Sequence, residues 1–369
     1  MTPAVPSEPP PPYFESMPTL PPELVLSILT FASTSTHLED PYQRFKWSWT
    51  EALRERSRLL RAASLVARDW TLPAQSLLWE VLYVNPSRAQ DMLDRGAPVG
   101  RFATAEVCFE AEMRDAGRLD PVREVLSRVA GVRTLCTFCV EAESLPLLPY
   151  VALPSFAGVT ALDIRHSDAG SSPNQTPLNL PFHLTELFLR TPTSPLVVNA
   201  LLPCVLGTLT HLHINLLRSP GMEREVYTSR SLLEAVAPQL RSLEISHYTN
   251  RMGQGIELPA ILSRCKLLTS LHLPFDRNLD PNSQLHLAPL RAIPRTVCFL
   301  RLQDYFPLWA VTEYLGEQNS GVEHVEISPR PRPIPDSVWH LREQELALER
   351  RCGELGVRFS VAEKGQQPI

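Results

Sequence analysis

The residues best suited to chemistry in this chain are a few histidines, acids and cysteines between residues 136 and 326. His211 and His213 stand two apart, and His272 and His324 recur in similar local sequence. Imidazole is a metal ligand and a proton carrier near neutral pH. Glu186, Glu244 and Glu326 supply carboxylates in the same region. Cys136-x-x-Cys139 has the spacing of half a zinc site, but no second pair completes it. In an extended segment its two side chains would point to opposite faces. Apart from the first two, the histidines fall on separate strands, and the nearest carboxylates lack ligand spacing. No metal and no cofactor is therefore expected. There is no Gly-x-Ser-x-Gly elbow, His-Glu-x-x-His helix or Walker loop, and Gly253-Gln254-Gly255 is two glycines in a loop. A Ser-His-Asp set assembled in space stays open, with nothing local to support it. These residues do not point to an enzyme.

The elements that carry them come from a repeated phrase: apolar, two variable residues, apolar, one variable residue, apolar. It reads Val159-Thr-Ala-Leu162-Asp-Ile164, Leu184-Thr-Glu-Leu187-Phe-Leu189 and Leu209-Thr-His-Leu212-His-Ile214. It returns at Leu240, Leu268, Val297 and Val322, so successive starts differ by 25, 25, 31, 28, 29 and 25 residues. Weaker copies start at Trp79, Thr104 and Val132. The last two apolar residues of each phrase are two apart and share one face of a short strand. One such strand has nothing to bury against, whereas stacked copies form a parallel sheet with a continuous apolar core. The segments between must cross back over that core. Pro121 to Ala130, Leu196 to Leu206, Ser229 to Val236, Pro259 to Lys266 and Pro307 to Glu317 read as helices. Helical spacing returns between Asp336 and Leu355, and Gly356 to Val361 reads as a closing strand that caps the core.

A phrase of this kind at 20–30-residue spacing resembles the leucine-rich repeat family, and most of all the irregular arrays that follow F-boxes in fungal proteins. The resemblance implies an α/β solenoid. The asparagine that the family places after the phrase is absent: Ser167, Pro192, Leu217, Tyr248, Asp276, Tyr305 and Arg330 stand there. A doubly wound α/β domain would also alternate strands with helices. The near-constant spacing and the lack of a glycine-rich phosphate loop favour the solenoid.

The variable positions of the phrase define two columns on the open face of the sheet. One holds Ala161, Glu186, His211, Ser242, Ser270, Phe299 and His324. The other holds Asp163, Phe188, His213, Glu244, His272, Arg301 and Glu326. Both charge signs, histidines and two phenylalanines would face a partner there. Aromatic side chains suit the centre of a protein interface. Alternatively, loops or the C-terminal tail cover them. The turn-rich segments 168–176, 218–229 and 329–335 would form the rims.

At the other end, Leu20-Pro21-Pro22-Glu23-Leu24 opens a short helix through Ile28-Leu29, with proline at the first turn and an acid by the helix N-terminus. Leu24, Val25, Ile28 and Leu29 make one apolar stripe. A second helix is expected over Glu51 to Trp70, with Arg54, Arg56, Arg58, Arg61 and Arg68 on a solvated face. Thr71 would cap a third helix, with Pro73 in its first turn. The order of Leu-Pro-x-Glu-Leu, then Leu65-Val66-Ala67-Arg68-Asp69-Trp70, then Leu77-Leu78-Trp79 resembles the F-box. That module docks on the Skp-type adaptor of cullin-RING (SCF) ubiquitin ligases. The resemblance implies adaptor contacts by Leu20, Pro21, Leu24, Ile28, Leu65, Val66 and Trp70. The insert at 33–58, with Asp40-Pro41 and the aromatics Phe45, Trp47 and Trp49, is longer than the family's gap. Without the resemblance, these helices would read as a cap on the rest of the chain.

The expected organisation is a proline-rich disordered tail at 1–17, an F-box-like helical domain at 18–84, a leucine-rich-repeat-like solenoid with its cap at 85–361, and a loose tail at 362–369. The tail's Pro9-Pro10-Pro11-Pro12 is a solvated stretch or a ligand for a proline-reading domain. The chain has 369 residues, 44% of them apolar, and a net charge of −5, which does not suggest nucleic acid as a partner. The apolar run from Pro195 to Leu212 is broken by Asn199, Pro203 and Gly207, so no membrane segment is expected. Seven scattered cysteines and no secretory signal suggest reduced thiols and a cytoplasmic or nuclear location. The expected partners are the adaptor and an unidentified protein substrate.

Overall fold

A computed structural model describes residues 20–34, 47–112, 119–140, 148–164, 179–190, 195–216, 223–248, 258–274, 283–302, 306–317, 321–327 and 338–362. Residues 1–19 and 363–369, Asp40-Pro41, Phe45, the Gly253-Gln254-Gly255 loop and the rim segments 168–176, 218–222 and 329–335 lie outside these residues, whereas residues 223–229, expected in a rim loop, are part of the helix Glu223–Val236. The chain divides into two units, residues 1–78 and 79–369.

The first unit is helical, with α1 at Pro22–Thr34, α2 at Trp47–Val66 and α3 opening at Arg68 in the span Arg68–Glu80. The carbonyl of Pro21 accepts from the amides of Leu24 and Val25, which fixes the start of α1. Val25 and Leu29 face inward and close a small core with Leu60, Ala63, Ala74 and Leu77, joined by the partly buried Trp70 and Leu78. The expected single stripe on α1 is thus divided, because Leu24 and Ile28 are exposed. The expected second helix ends early, at Val66, and α3 starts at Arg68 rather than at Thr71. Thr71 does not cap α3. Its hydroxyl donates to the carbonyl of Ser64 at 2.9 Å, which satisfies an end carbonyl of α2. Pro73 therefore lies inside α3, where it costs the helix one backbone bond. Arg56 is buried, unlike the exposed Arg54, Arg58, Arg61 and Arg68.

The second unit repeats strand and crossover. Its first part runs β1 (Val81–Val84), α4 (Pro86–Asp94), β2 (Glu106–Glu112), α5 (Asp120–Arg128), β3 (Thr134–Val140), α6 (Leu148–Val151) and β4 (Ala161–Ile164). Next come β5 (Glu186–Leu189), α7 (Pro195–Val205), β6 (His211–Leu216), α8 (Glu223–Val236), β7 (Ser242–Tyr248), α9 (Leu258–Leu262) and β8 (Ser270–Leu273). The last are α10 (Leu287–Arg291), β9 (Phe299–Leu302), α11 (Leu308–Glu317), β10 (His324–Ile327), α12 (Val338–Leu355) and β11 (Arg358–Val361). The 11 strands form one sheet whose spatial order is the sequence order. All neighbours are parallel. Because β1 pairs with β2, residues 81–84 belong to the sheet and not to the helical module.

Register is set by the apolar phrase. Leu162, Leu187, Leu212, Leu243, Leu271, Leu300 and Val325 are lateral partners in turn, and all are buried. Each buried leucine contributes roughly 1.5–3 kcal/mol of transfer free energy. The 31-residue interval is taken up by α8, 14 residues long, so the register holds at Leu212↔Leu243. Turns are tied together just before each strand. The carbonyl of Thr185 accepts from the amides of Thr210 and His211, and that of Thr210 from Arg241 and Ser242. The Thr210 hydroxyl adds a bond to the Thr185 carbonyl, and Thr269 one to Arg241. This threonine-assisted ladder links successive turns on the entry side of the strands. Ala362, expected in the loose tail, is buried and its amide donates to the Ile327 carbonyl at 2.9 Å.

Candidate functional site

Two surfaces carry the residues singled out by sequence, one on each unit. In the solenoid, parallel register brings the two variable columns together as expected. Glu186↔His211↔Ser242↔Ser270↔Phe299↔His324 lie side by side, as do Asp163↔Phe188↔His213↔Glu244↔His272↔Arg301↔Glu326. Their exposure differs from expectation. Asp163, His213, Arg301 and Glu326 are buried, and Phe188 and Phe299 are partly buried rather than exposed.

The cause is lateral pairing. Neighbouring strands lie about 4.8 Å apart, so complementary side chains in one column reach each other. Arg190 Nε lies 3.2 Å from both oxygens of Asp163. Glu244 sits between two imidazoles, with Oε2 3.2 Å from His213 Nδ1 and Oε1 3.0 Å from His272 Nδ1. Arg301 Nε is 3.0 Å from Glu326 Oε1. The rings of Phe188 and His213 have centroids 6.2 Å apart, and the Arg190 guanidinium lies 5.5 Å from the Phe188 ring. The column is largely paired within itself and with Arg190.

The other column is more open. His211 is exposed, and Glu186 is partly buried. The Phe299 and His324 rings meet edge to face at 5.0 Å, and His324 Nε2 lies 2.7 Å from Ser360 Oγ. Burial lowers the His324 pKa, the nearby Arg358 charge adds to this, and Glu326 opposes it. His324 is thus biased toward its neutral form.

The four histidines do not converge on a shared point. Among the described residues, the His, Cys, Asp and Glu side chains close enough to hold one ion are Glu106, Cys108 and Cys136. The sequence offers Cys139 as the near neighbour of Cys136, on the opposite face of an extended segment, and no metal site is expected from that pair. Lateral register supplies Cys108 instead. Aligning the weak phrases at Thr104 and Val132 would have found it, since both cysteines take the same place in their phrases.

On the helical unit, the residues implied as adaptor contacts are mostly left at the surface. Leu20, Leu24 and Ile28 are 42%, 51% and 46% exposed, and Leu65 and Val66 are 87% and 70% exposed. Pro21 is exposed, and Trp70 is partly buried against the helix core. Phe31 and Leu72 are exposed as well. Sequence reading had not singled these two out.

The second unit is a leucine-rich-repeat-like α/β solenoid. No protein-family model matches the chain, and no curated protein matches it. Among solved structures it is similar to the leucine-rich repeat-containing protein LegL7 from Legionella pneumophila, at 15% sequence identity and a TM-score of 0.45. That match covers 78% of this chain and 92% of the other. No helix among the described residues is long and apolar enough to cross a membrane.

Proposed function

We propose that this chain is a protein-binding scaffold whose helical unit docks on a Skp-type adaptor, making it the substrate-recognition subunit of an SCF-type ubiquitin ligase. The observation that carries the adaptor reading is the division of apolar residues in the helical unit. Val25, Leu29, Leu60, Ala63, Ala74 and Leu77 form its core, while Leu20, Leu24, Ile28, Leu65 and Val66 remain at the surface. Exposed apolar residues in such numbers on so small a unit mark a contact surface. They are also the residues that the F-box resemblance picks out. The solenoid's open column, with His211, Glu186, Phe299 and His324, is the proposed contact for a protein substrate. The chain would act by proximity, raising the local concentration of substrate lysines beside a bound ubiquitin-conjugating enzyme.

The test is co-purification with the Skp-type adaptor of the same cell, beside a Leu24→Asp/Leu65→Asp variant. A 1:1 complex lost in the folded variant supports the reading. A folded wild type that ignores the adaptor overturns it. A second reading would then stand: an interaction scaffold with no ligase role. It is favoured by the length of α2, 20 residues, which includes residues 47–58 of the insert.

A further inference from the structure

We propose that Glu106, Cys108 and Cys136 form a site for a thiophilic divalent cation, with Zn2+ as the ion that fits best. Glu106 and Cys108 are two apart on β2 and so project from the same face. Cys136 is the lateral partner of Cys108 on β3. The ligand atoms of all three lie within 4.8 Å of one another. Cys108 and Cys136 are buried, and Glu106 is partly open, so the carboxylate marks the side from which an ion enters.

The distances suit tetrahedral coordination. Glu106 Oε1 is 3.6 Å from Cys108 Sγ and 3.8 Å from Cys136 Sγ. With a Zn–S bond of about 2.3 Å and a Zn–O bond of about 2.1 Å, the S···O edge of a zinc tetrahedron is about 3.6 Å. Both S···O edges are thus already close to this length, and the two sulfurs lie within 4.8 Å of each other. The donor set is sulfur-rich, which selects against Mg2+ and Ca2+.

The neighbours set the limits of the site. Asp163 is the next residue in the column after Cys136, but Arg190 holds both its oxygens at 3.2 Å. It is therefore not taken as a fourth ligand, and the fourth position falls to water or to a group brought by a partner. Binding converts two thiols to thiolates, and their protons leave to solvent. With two thiolates and one carboxylate, the occupied site carries one net negative charge, which the Arg190–Asp163 pair leaves unchanged.

The test uses the full chain, reduced and stripped with a chelator, titrated anaerobically with Co2+ as a spectroscopic probe. Expected are one Co2+ per chain, a sulfur-to-cobalt charge-transfer band, tetrahedral ligand-field bands, and displacement by Zn2+ with release of about two protons per ion. Cys108→Ser/Cys136→Ser should abolish the bands, and Glu106→Gln should weaken binding at least tenfold. Should the double variant fail to fold, protection of Cys108 and Cys136 from alkylation by Zn2+ in the wild type, read by mass spectrometry, decides instead. Reduced, folded wild type without the bands, bands that survive in a folded double variant, or alkylation of both thiols unaffected by Zn2+ would each overturn the proposal.

Discussion

Arg301 and Glu326 face each other across β9 and β10, with Nε 3.0 Å from Oε1 and side chains only 5% and 10% exposed. The distance is that of an ion pair, yet the angle is not that of a hydrogen bond. Arg301 Nε and Nη2 and Glu326 Oε1 have no hydrogen-bond partner among the described residues. A buried pair with unsatisfied atoms recovers its desolvation cost poorly, although removing one partner strands the other charge. Glu326→Ala alone should therefore destabilise the solenoid by about 3–5 kcal/mol, whereas Arg301→Met/Glu326→Leu should be neutral or stabilising. Denaturant unfolding of the single and double variants checks this. A double variant as unstable as the single one would show that the pair is a net support.

In the helical unit, position on α1 or α2 should decide the response to truncation. Leu29 is 3% exposed and Leu65 is 87% exposed. Leu29→Ala should cost about 2–5 kcal/mol through lost burial and a cavity. Leu65→Ala should stay within about 0.5 kcal/mol, because no core contact is lost. Thermal melts followed by circular dichroism compare them. Equal losses would mean that Leu65 is packed, and the proposed adaptor surface would lose its most exposed member.

What could be read from the sequence follows from the range of the interactions involved. The apolar phrase is local, and its second half opens every strand from β4 to β10. Even the weak copies at Trp79, Thr104 and Val132 became β1, β2 and β3. The helices α5, α7 and α11 match their expected spans closely, whereas α8 begins at Glu223, six residues before the expected start at Ser229 and within a segment expected to be a rim loop. α4 was missed because it follows β1 after one residue, Asn85, whose side chain accepts from the Arg88 amide as a cap. α10 was missed because its five residues are too few to show a period. The burial of Asp163, His213, Arg301 and Glu326 depends on partners one turn away, about 25–30 residues along the chain, which no local pattern encodes. Glu106, Cys108 and Cys136 also meet across two turns, which only the alignment of the phrases at Thr104 and Val132 brings out.

Thiol reactivity should follow burial. Burial pushes the Cys265 and Cys352 thiols up to about 11 and also raises Cys204. At pH 8 these three are protonated and enclosed, so they should resist alkylation in the native state. Cys298 is partly exposed and should react first among these four. Timed iodoacetamide labelling with peptide mapping tests the order. Labelling of Cys265 at the rate of Cys298 in folded protein would contradict the described packing.

Two glycines should respond to alanine for different reasons. A methyl at Gly321 would overlap the backbone carbonyl of Arg295, which cannot give way without moving the chain before β9. Gly207 has open space but a φ of +81°, which disfavours any side chain. Gly207→Ala should cost about 1–2 kcal/mol. Gly321→Ala should exceed the usual overpacking cost of about 1–3 kcal/mol, since the clash is with backbone. Unfolding free energies of the two variants give the comparison, and the reverse order would contradict it.

His324 should give the solenoid an acid-sensitive contribution to stability. Its pKa is lowered from the ordinary 6.5 by burial, then by Arg358 on β11, against an opposing pull from Glu326 on its own strand. Phe299 on β9 and Ser360 on β11 also lie against it and carry no charge. Between the lowered value and about 6.5 the unfolded chain binds more protons than the folded one, so stability rises with pH across that window. The contribution is fully present above about pH 6.5 and diminishes as pH falls below it. Unfolding midpoints measured from pH 5 to 7.5 should therefore slope more steeply for wild type than for His324→Gln. Arg358→Gln should flatten the slope in part, because it removes one of the two causes. Identical slopes for wild type and His324→Gln would show that His324 titrates alike in the folded and unfolded chain.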